Sequence, residues 1–269
     1  HKLDTTTVQI AGLVVENNNG ASITNCRVGG KGNFTKVYYD VDTGKTEQTF
    51  EFGKFDIVGQ GDMSGFVIIN NGLISASYFA GASIVNKTTS ASLNATSGFV
   101  MYNNLGALIT TSYTEGIKLT TDLSVNITGG GIESQGISAG FAYQNSGKIT
   151  DCYTNIRLAG NSTGRLVSGF VYNNLTDGKL ERCYSASTIV GELTTQMPFT
   201  GKNSREEIMQ LAEKGLVDCY YLVKNVDTGS ILEDKYGTGA QAVQISTFDE
   251  TTFKTFAMTT KNDYDGVWM

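Results

Sequence analysis

Hydrophobic and polar positions along this chain follow neither a helical period nor one long alternation; they recur in short blocks. The clearest block runs Gly65-Phe66-Val67-Ile68-Ile69-Asn70-Asn71-Gly72, then Leu73-Ile74-Ser75-Ala76-Ser77-Tyr78. A second copy is Gly98-Phe99-Val100-Met101-Tyr102-Asn103-Asn104, followed by Ile109-Thr110-Thr111-Ser112-Tyr113. The third starts at Gly140-Phe141-Ala142-Tyr143 and ends at Ile149-Thr150-Asp151-Cys152-Tyr153; the fourth starts at Gly169-Phe170-Val171-Tyr172 and ends at Leu180-Glu181-Arg182-Cys183-Tyr184. Weaker copies flank them at Gly12-Leu13-Val14-Val15 with Ile23-Thr24-Asn25-Cys26, and at Leu216-Val217-Asp218-Cys219-Tyr220. Each half-block is a run of β-branched and aromatic residues bounded by Asn-Asn, Asn-Gly or Asp-Gly, the chemistry of a tight corner. The period predicts strand, corner, strand and a variable return.

The starting glycines are unevenly spaced, so length varies only between motifs, as in a coil whose rungs touch their neighbours while insertions project from the corners. We therefore expect an all-β, single-stranded parallel β-helix over residues 8–221, wound right-handed. Stacked rungs place like positions above one another about 4.8 Å apart. The inward columns are then Leu13, Phe66, Phe99, Phe141 and Phe170, and Ile23, Ile74, Ile109, Ile149, Leu180 and Val217. The next column, Cys26, Ser77, Ser112, Cys152, Cys183 and Cys219, is a slot for a small side chain. Its cysteines read either as disulfides or metal ligands, or as buried small residues; serine in two rungs and the lack of a C-x-x-C spacing favour reduced, buried thiols. The corner residues Asn70, Asn103, Asn145 and Asn173 read as structural.

The blocks resemble the GLUG motif of bacterial surface proteins, found in the region outside the protease domain of some secreted immunoglobulin A1 proteases. The likeness spans Gly12 to Tyr221, in G-F-V or G-L-V, then Asn and Gly, then Ile/Leu-x-x-Cys/Ser-Tyr. It departs at the fourth motif residue, where Val15, Ile68, Met101, Tyr143 or Tyr172 stands instead of the family's frequent glycine. The resemblance implies an exported solenoid serving as a stalk or adhesive module; it implies no catalytic residues.

Other segments break the pattern. Residues 31–58 interrupt it with Val37 to Phe52, a hairpin around Asp42-Thr43-Gly44. Asp40-x-Asp42-x-Gly44 also invites a calcium reading, but an EF-type loop needs its glycine one place later and a bidentate glutamate. Residues 203–215 read as an inserted amphipathic helix, with Ser204 and Glu207 as a capping box and Gly215 at its end. It covers a flank of the coil or, alternatively, binds a partner. Residues 222–269 form a C-terminal cap, and residues 1–7, opening with His1-Lys2-Leu3, read as a tag scar and leader.

Composition narrows the function classes. Charged residues are 17% of the chain, well below the roughly 25% of an average soluble domain. The surface is thus covered largely by neutral hydroxyls and amides, as in extracellular β-proteins. A net charge of -6 argues against a nucleic-acid partner, and no apolar run is long enough for membrane insertion. The only histidine is His1, so imidazole-dependent nucleophilic sites cannot be built from the repeats. We expect no cofactor, no metal and no enzyme.

Three functions compete. The first is a non-enzymatic extracellular adhesin domain of a bacterial cell-surface protein, contacting a host or environmental glycan or a surface protein. Its candidate ligand-binding residues are Tyr78, Tyr113, Tyr153, Tyr184 and Tyr220, which follow the small slot and, by alternation, point outward as a ladder. The same ladder could instead only brace the coil. The second is a structural stalk or phage tail fibre. The third is a polysaccharide lyase or hydrolase, with Asp151, Glu181 and Asp218 near Arg182 as its acids, although an ion-pair ladder accounts for these residues equally well.

Overall fold

A computed structural model describes residues 8–29, 33–40, 44–51, 56–88, 94–118, 127–159, 166–191, 195–203, 215–225 and 242–244. Every regular element among them is a strand. Five parallel sheets stack rung upon rung, each rung contributing one short strand to each sheet, so the chain is a β-solenoid. In the second rung these strands are Asp62–Ser64, Val67–Asn70, Leu73–Ser75, Tyr78–Ala80 and Ser83–Asn86, which define the first to fifth sheets in that order. The return that the sequence leaves shapeless is therefore the fourth, fifth and first sheets, built from three- and four-residue strands too short to show a period. Six rungs run from Gln9 to Asn225, and Ala242–Gln244 adds a seventh strand to the fourth sheet.

The predicted columns are present in register. Phe66, Phe99, Phe141 and Phe170 are fully buried and stacked, with centroids 4.6, 4.8 and 4.9 Å apart. Phe199 extends the stack at 5.0 Å, a member hidden in the sequence because Pro198 replaces its glycine. Leu13 occupies the column in the first rung but is 39% exposed, because nothing among the described residues stacks above it. Two columns need correction by one residue. Leu216, not Val217, pairs with Leu180 and is buried, while Val217 is 52% exposed. Asn174, not Asn173, pairs with Asn145.

That asparagine column is a continuous chain of amides. Asn17 donates through Nδ2 to Asn70 Oδ1 at 2.7 Å, Asn70 to Asn103 at 2.8 Å, Asn103 to Asn145 at 2.8 Å, and Asn145 to Asn174 at 2.7 Å. Five buried polar side chains thus satisfy one another, which removes most of the cost of burying them.

The small slot has a specific chemistry. Each Ser or Cys hydroxyl or thiol donates to the carbonyl two residues earlier: Ser77 to Ser75, Ser112 to Thr110, Cys26 to Thr24, Cys152 to Thr150, Cys183 to Glu181 and Cys219 to Val217. A small donor is what the corner requires, which is why the two residue types interchange. The thiols are free; Cys152, Cys183 and Cys219 are buried, and burial pushes the Cys152 and Cys183 thiols well above the ordinary range. Cys26, expected to be buried, is only half-buried, again because it lies in the first rung. A thiol reagent should therefore label Cys26 alone in the native protein and all four cysteines after unfolding. A count below four in denaturant without added oxidant would refute the reduced reading.

The residue before the slot reveals a feature without a sequence signature. Asn25, Ala76, Thr111, Asp151, Arg182 and Asp218 all adopt left-handed backbone, with φ between 46° and 55°. Five unlike residue types share it, so the bend is imposed by the flanking strands rather than by local preference. For L-residues other than Gly and Asn/Asp this conformation costs roughly 1–2 kcal/mol. Ala76→Gly should then stabilise the protein by about 0.5–1 kcal/mol, the relief being partly offset by glycine's greater freedom in the unfolded chain. Equilibrium denaturation checks the sign; a destabilised variant would show that the corner is unstrained.

The interruption within the first rung is an antiparallel hairpin, Asn33–Asp40 against Gly44–Glu51, with Asp40 opposite Gly44 as the turn residues imply. It ends earlier than 58, because Asp56–Gly59 is the first rung's strand in the fifth sheet. A second small pair, Ile117–Lys118 with Ile127–Gly129, interrupts the third rung. The helix expected within 203–215 falls on residues 204–214, outside the described residues, as do residues 1–7 and most of the expected cap.

Candidate outer-face binding surface

Strand alternation turns the residue after each slot outward, and the fourth sheet carries the expected ladder. Tyr78, Tyr113, Tyr153 and Tyr184 stack at 4.7, 4.7 and 5.0 Å with ring planes within 6° of parallel, and Tyr184 is in register with Tyr220. Tyr78, Tyr113 and Tyr153 are half-buried, whereas Tyr184 and Tyr220 are buried. Burial raises the Tyr113 and Tyr220 phenols, helped by Glu115 and by Asp218 respectively. Such stacking has a chemical consequence. A sugar ring packs on an aromatic face, and here each face between Tyr78 and Tyr184 is covered by the next ring. The Arg27 guanidinium lies 5.5 Å over the remaining Tyr78 face. The ladder thus offers solvent its ring edges and hydroxyls, and its main physical effect is to brace the flank.

A second tyrosine row, which the sequence reading passed over as a departure from the motif, lies elsewhere. Val67 and its column point into the core, so the following residues Ile68, Met101, Tyr143 and Tyr172 point outward. They pack against the outer side of the first sheet, at Ala95, Ile137, Ala139 and Met197, in clusters separate from the main core. The outer sides of the first two sheets therefore meet in a concave corner running along the solenoid. Bulky residues at the fourth motif position fill this corner, where glycine would leave it open.

Within the corner Tyr143 stacks on Tyr172 at 5.4 Å, while Tyr102 meets Tyr143 edge-on at 5.8 Å and 88°. Tyr102 stands one residue beyond Met101, in register with Gln144, so it meets the stack from the side rather than joining it. Its hydroxyl donates to Asp62 Oδ2 at 3.3 Å, and Asp62 Oδ1 accepts the Ala95 amide at 3.1 Å. Burial first and the Asp62 charge second push the Tyr102 phenol up to about 12. Burial likewise raises Tyr143 and Tyr172, with Asp62 adding to the shift at Tyr143. Tyr102 and Tyr143 keep part of their surface in solvent.

No family model matches the chain, and neither does any curated protein or solved structure. Its chemistry must be read from the side chains alone. The carboxylates singled out as possible acids are engaged elsewhere. Arg182 grips Asp151 through Nε at 2.6 Å and Nη2 at 2.7 Å and also donates to Thr150 Oγ1 at 2.7 Å. Glu181 pairs with Lys148 at 2.7 Å and lies 3.7 Å from Arg182 Nη1. The Asp151 contact, then the neighbouring carboxylate charges, hold Arg182 above its ordinary range. This is a cross-rung ion-pair network, the arrangement set against catalysis above. Asp218 stands at the next left-handed corner of the same column.

Proposed function

We propose that this chain is a non-enzymatic binding module of a bacterial cell-surface protein, displayed outside the cell and contacting a glycan or host surface. The observation that carries the reading is the part-exposed tyrosine edge of the filled outer corner. There Tyr102 and Tyr143, half-buried, stand beside the hydrogen-bonded Asp62 carboxylate. Apolar ring surface next to a fixed acceptor suits a sugar, whose C–H face packs on a ring while a hydroxyl donates to the carboxylate. The low charge of the chain and its resemblance to the GLUG regions support an extracellular setting. The proposal includes a right-handed coil and a C-terminal cap within 222–269.

A glycan array on the intact chain tests this reading. Retention of a ligand, with binding lost in Tyr143→Ala and reduced in Tyr102→Phe while the thermal melt is kept, is the expected result. Loss of binding in Tyr113→Ser instead would return the site to the ladder. An array with no retained glycan favours a structural stalk, the second reading, which rests on the mutual covering of ring faces in the tyrosine ladder.

A further inference from the structure

Asp62 stands at the edge of the filled corner with its charge unbalanced. It opens the second rung's strand in the first sheet, and since Met63 points into the core, Asp62 points outward. Only 9% of it is exposed. Gln9 pairs with it from the first rung, and Ala95 precedes the residue paired with Met63 in the third, so strands flank it on both sides. Tyr102, across the corner, is likewise held between Ile69 and Gln144. The Asp62 oxygens accept one hydrogen bond each, from the Ala95 amide at 3.1 Å and from the Tyr102 hydroxyl at 3.3 Å. Both donors are neutral.

No cation among the described residues forms an ion pair with this carboxylate. Lys87, whose backbone amide donates to Gly59 O at 2.7 Å, makes none with it, and Lys148 and Arg182 are committed to Glu181 and Asp151. The other charge in the facing column is Glu16, in register with Ile69, and it is also negative. The charge of Asp62 is felt across the site, adding to the upward push on both the Tyr102 and Tyr143 phenols. A carboxylate withdrawn from water needs a counter-charge as well as hydrogen bonds to offset its lost hydration. Here the hydrogen bonds are present and the counter-charge is not.

We infer that the ligand supplies it: the corner takes a glycan with a free amine, its protonated amino group seated at Asp62 and Tyr102. This rests on the glycan reading above and narrows it to amino sugars. The Tyr102 phenol gives its proton to Asp62, so both groups turn acceptor sites toward an incoming group. An ammonium matches them, being all donor and no acceptor. A neutral sugar hydroxyl offers a donor without a charge. N-acetylation removes the charge and leaves a single N–H, and a uronate would be repelled by Asp62. The tyrosine rings add to the selection, since an aromatic face attracts a cation as well as packing on the C–H face of the sugar that carries it.

Calorimetry on the intact chain with a chitin-type glucosamine tetramer and its fully N-acetylated counterpart tests this, because the two ligands differ at the amino groups alone. At mildly acidic pH the free amine should bind about ten-fold more tightly, the scale of one hydrogen bond to a charged group. Asp62→Asn keeps an acceptor for the Ala95 amide and should bring the two affinities within about two-fold of each other. Glu133→Gln removes the same charge from the exposed outer side of the fifth sheet and should keep the parent's ratio, which separates the site from the general pull of an acidic protein on a cation. A second readout needs no variant. Raising the pH from about 5.5 to about 9, which neutralises an amino-sugar amine much as it does an α-amino group, should erase the preference in the parent; Tyr102, Tyr143 and Tyr172 are all held above the ordinary phenol range and stay neutral over that span. Equal affinity for the two tetramers, both lost in Tyr143→Ala, would overturn the inference and leave the glycan reading standing. A preference that survives Asp62→Asn or the higher pH would overturn it too. If neither tetramer binds, the inference fails, and the glycan array decides whether the glycan reading fails with it.

Discussion

Gly98→Ala is expected to leave little or no folded protein. The added methyl would sit 2.0 Å from the Gly140 carbonyl oxygen and 3.0 Å from its carbon, with the Ile156 Cδ1 atom also at 3.0 Å. The nearest obstacle is backbone, and the two rungs cannot separate because five parallel sheets fix their spacing at once. Relief at one corner would stretch ladder hydrogen bonds on both sides, such as Gly98 N to Ala139 O at 2.9 Å. A clash of this kind belongs to the rare substitutions costing more than about 4–5 kcal/mol. Soluble yield and thermal melting measure it against Gly106→Ala. That glycine has a φ of +83° but open space around its missing Cβ, so its replacement should cost only about 1 kcal/mol. Equal losses for the two variants would mean that the glycine column is not a steric contact.

Asn103→Leu should be the most damaging change among the buried polar residues. It removes the acceptor of Asn70 Nδ2 and the donor to Asn145 Oδ1 together, leaving two buried amide groups at roughly 1–3 kcal/mol each. A loss of about 2–6 kcal/mol follows, felt where the third rung meets its neighbours. A solenoid is held together by nearest-neighbour contacts, so the damage should also be local. Hydrogen exchange should accelerate in Val67–Asn70 and Ala142–Asn145 more than in Arg157–Ala159. Asn104→Ala, which gives up one part-buried bond to Asn71 at 2.7 Å, should cost under about 1 kcal/mol. If both variants lose the same stability, the amide chain does not act as a connected unit.

Much of this frame is legible in the sequence because in-register stacking repeats a residue's chemistry at each rung. The phenylalanine column, the alternation of slot and tyrosine, and the hairpin turn at Asp40 and Gly44 are all readable in that way. Misreadings arise where neighbouring residues are chemically alike. Leu216 and Val217 are both aliphatic and Asn173 and Asn174 are identical, so pattern alone cannot choose the inward one. Phe199 escapes notice because Pro198 precedes it. The left-handed corner is invisible for the opposite reason: asparagine, alanine, threonine, aspartate and arginine share nothing, and the constraint lies in the backbone. The covering of the ladder's ring faces is also illegible, because alternation gives the direction of a side chain but not whether its neighbour lies over it. The row at Ile68, Met101, Tyr143 and Tyr172 looked like a departure from a motif, whereas it fills a concavity that exists only once two sheets meet.

The corners also differ in how much length they tolerate. Between the first and second sheets every rung has two intervening residues, and between the third and fourth the first five rungs also have two. Between the fifth and the first, the connections 59–62, 86–95, 134–137, 159–166 and 190–195 range from two residues to eight, and the large insertions of the first and third rungs enter just before the fifth sheet. The seam on either side of the fifth sheet therefore varies in length from rung to rung, while the corners between the first and second sheets and between the third and fourth are held nearly fixed. Lengthening a loop costs only about 0.6 kcal/mol per doubling. Peptides spliced into this seam on successive rungs would emerge in a row at a pitch of about 4.8 Å, which makes the rod a ruler on which new epitopes can be mounted without recasting the sheets.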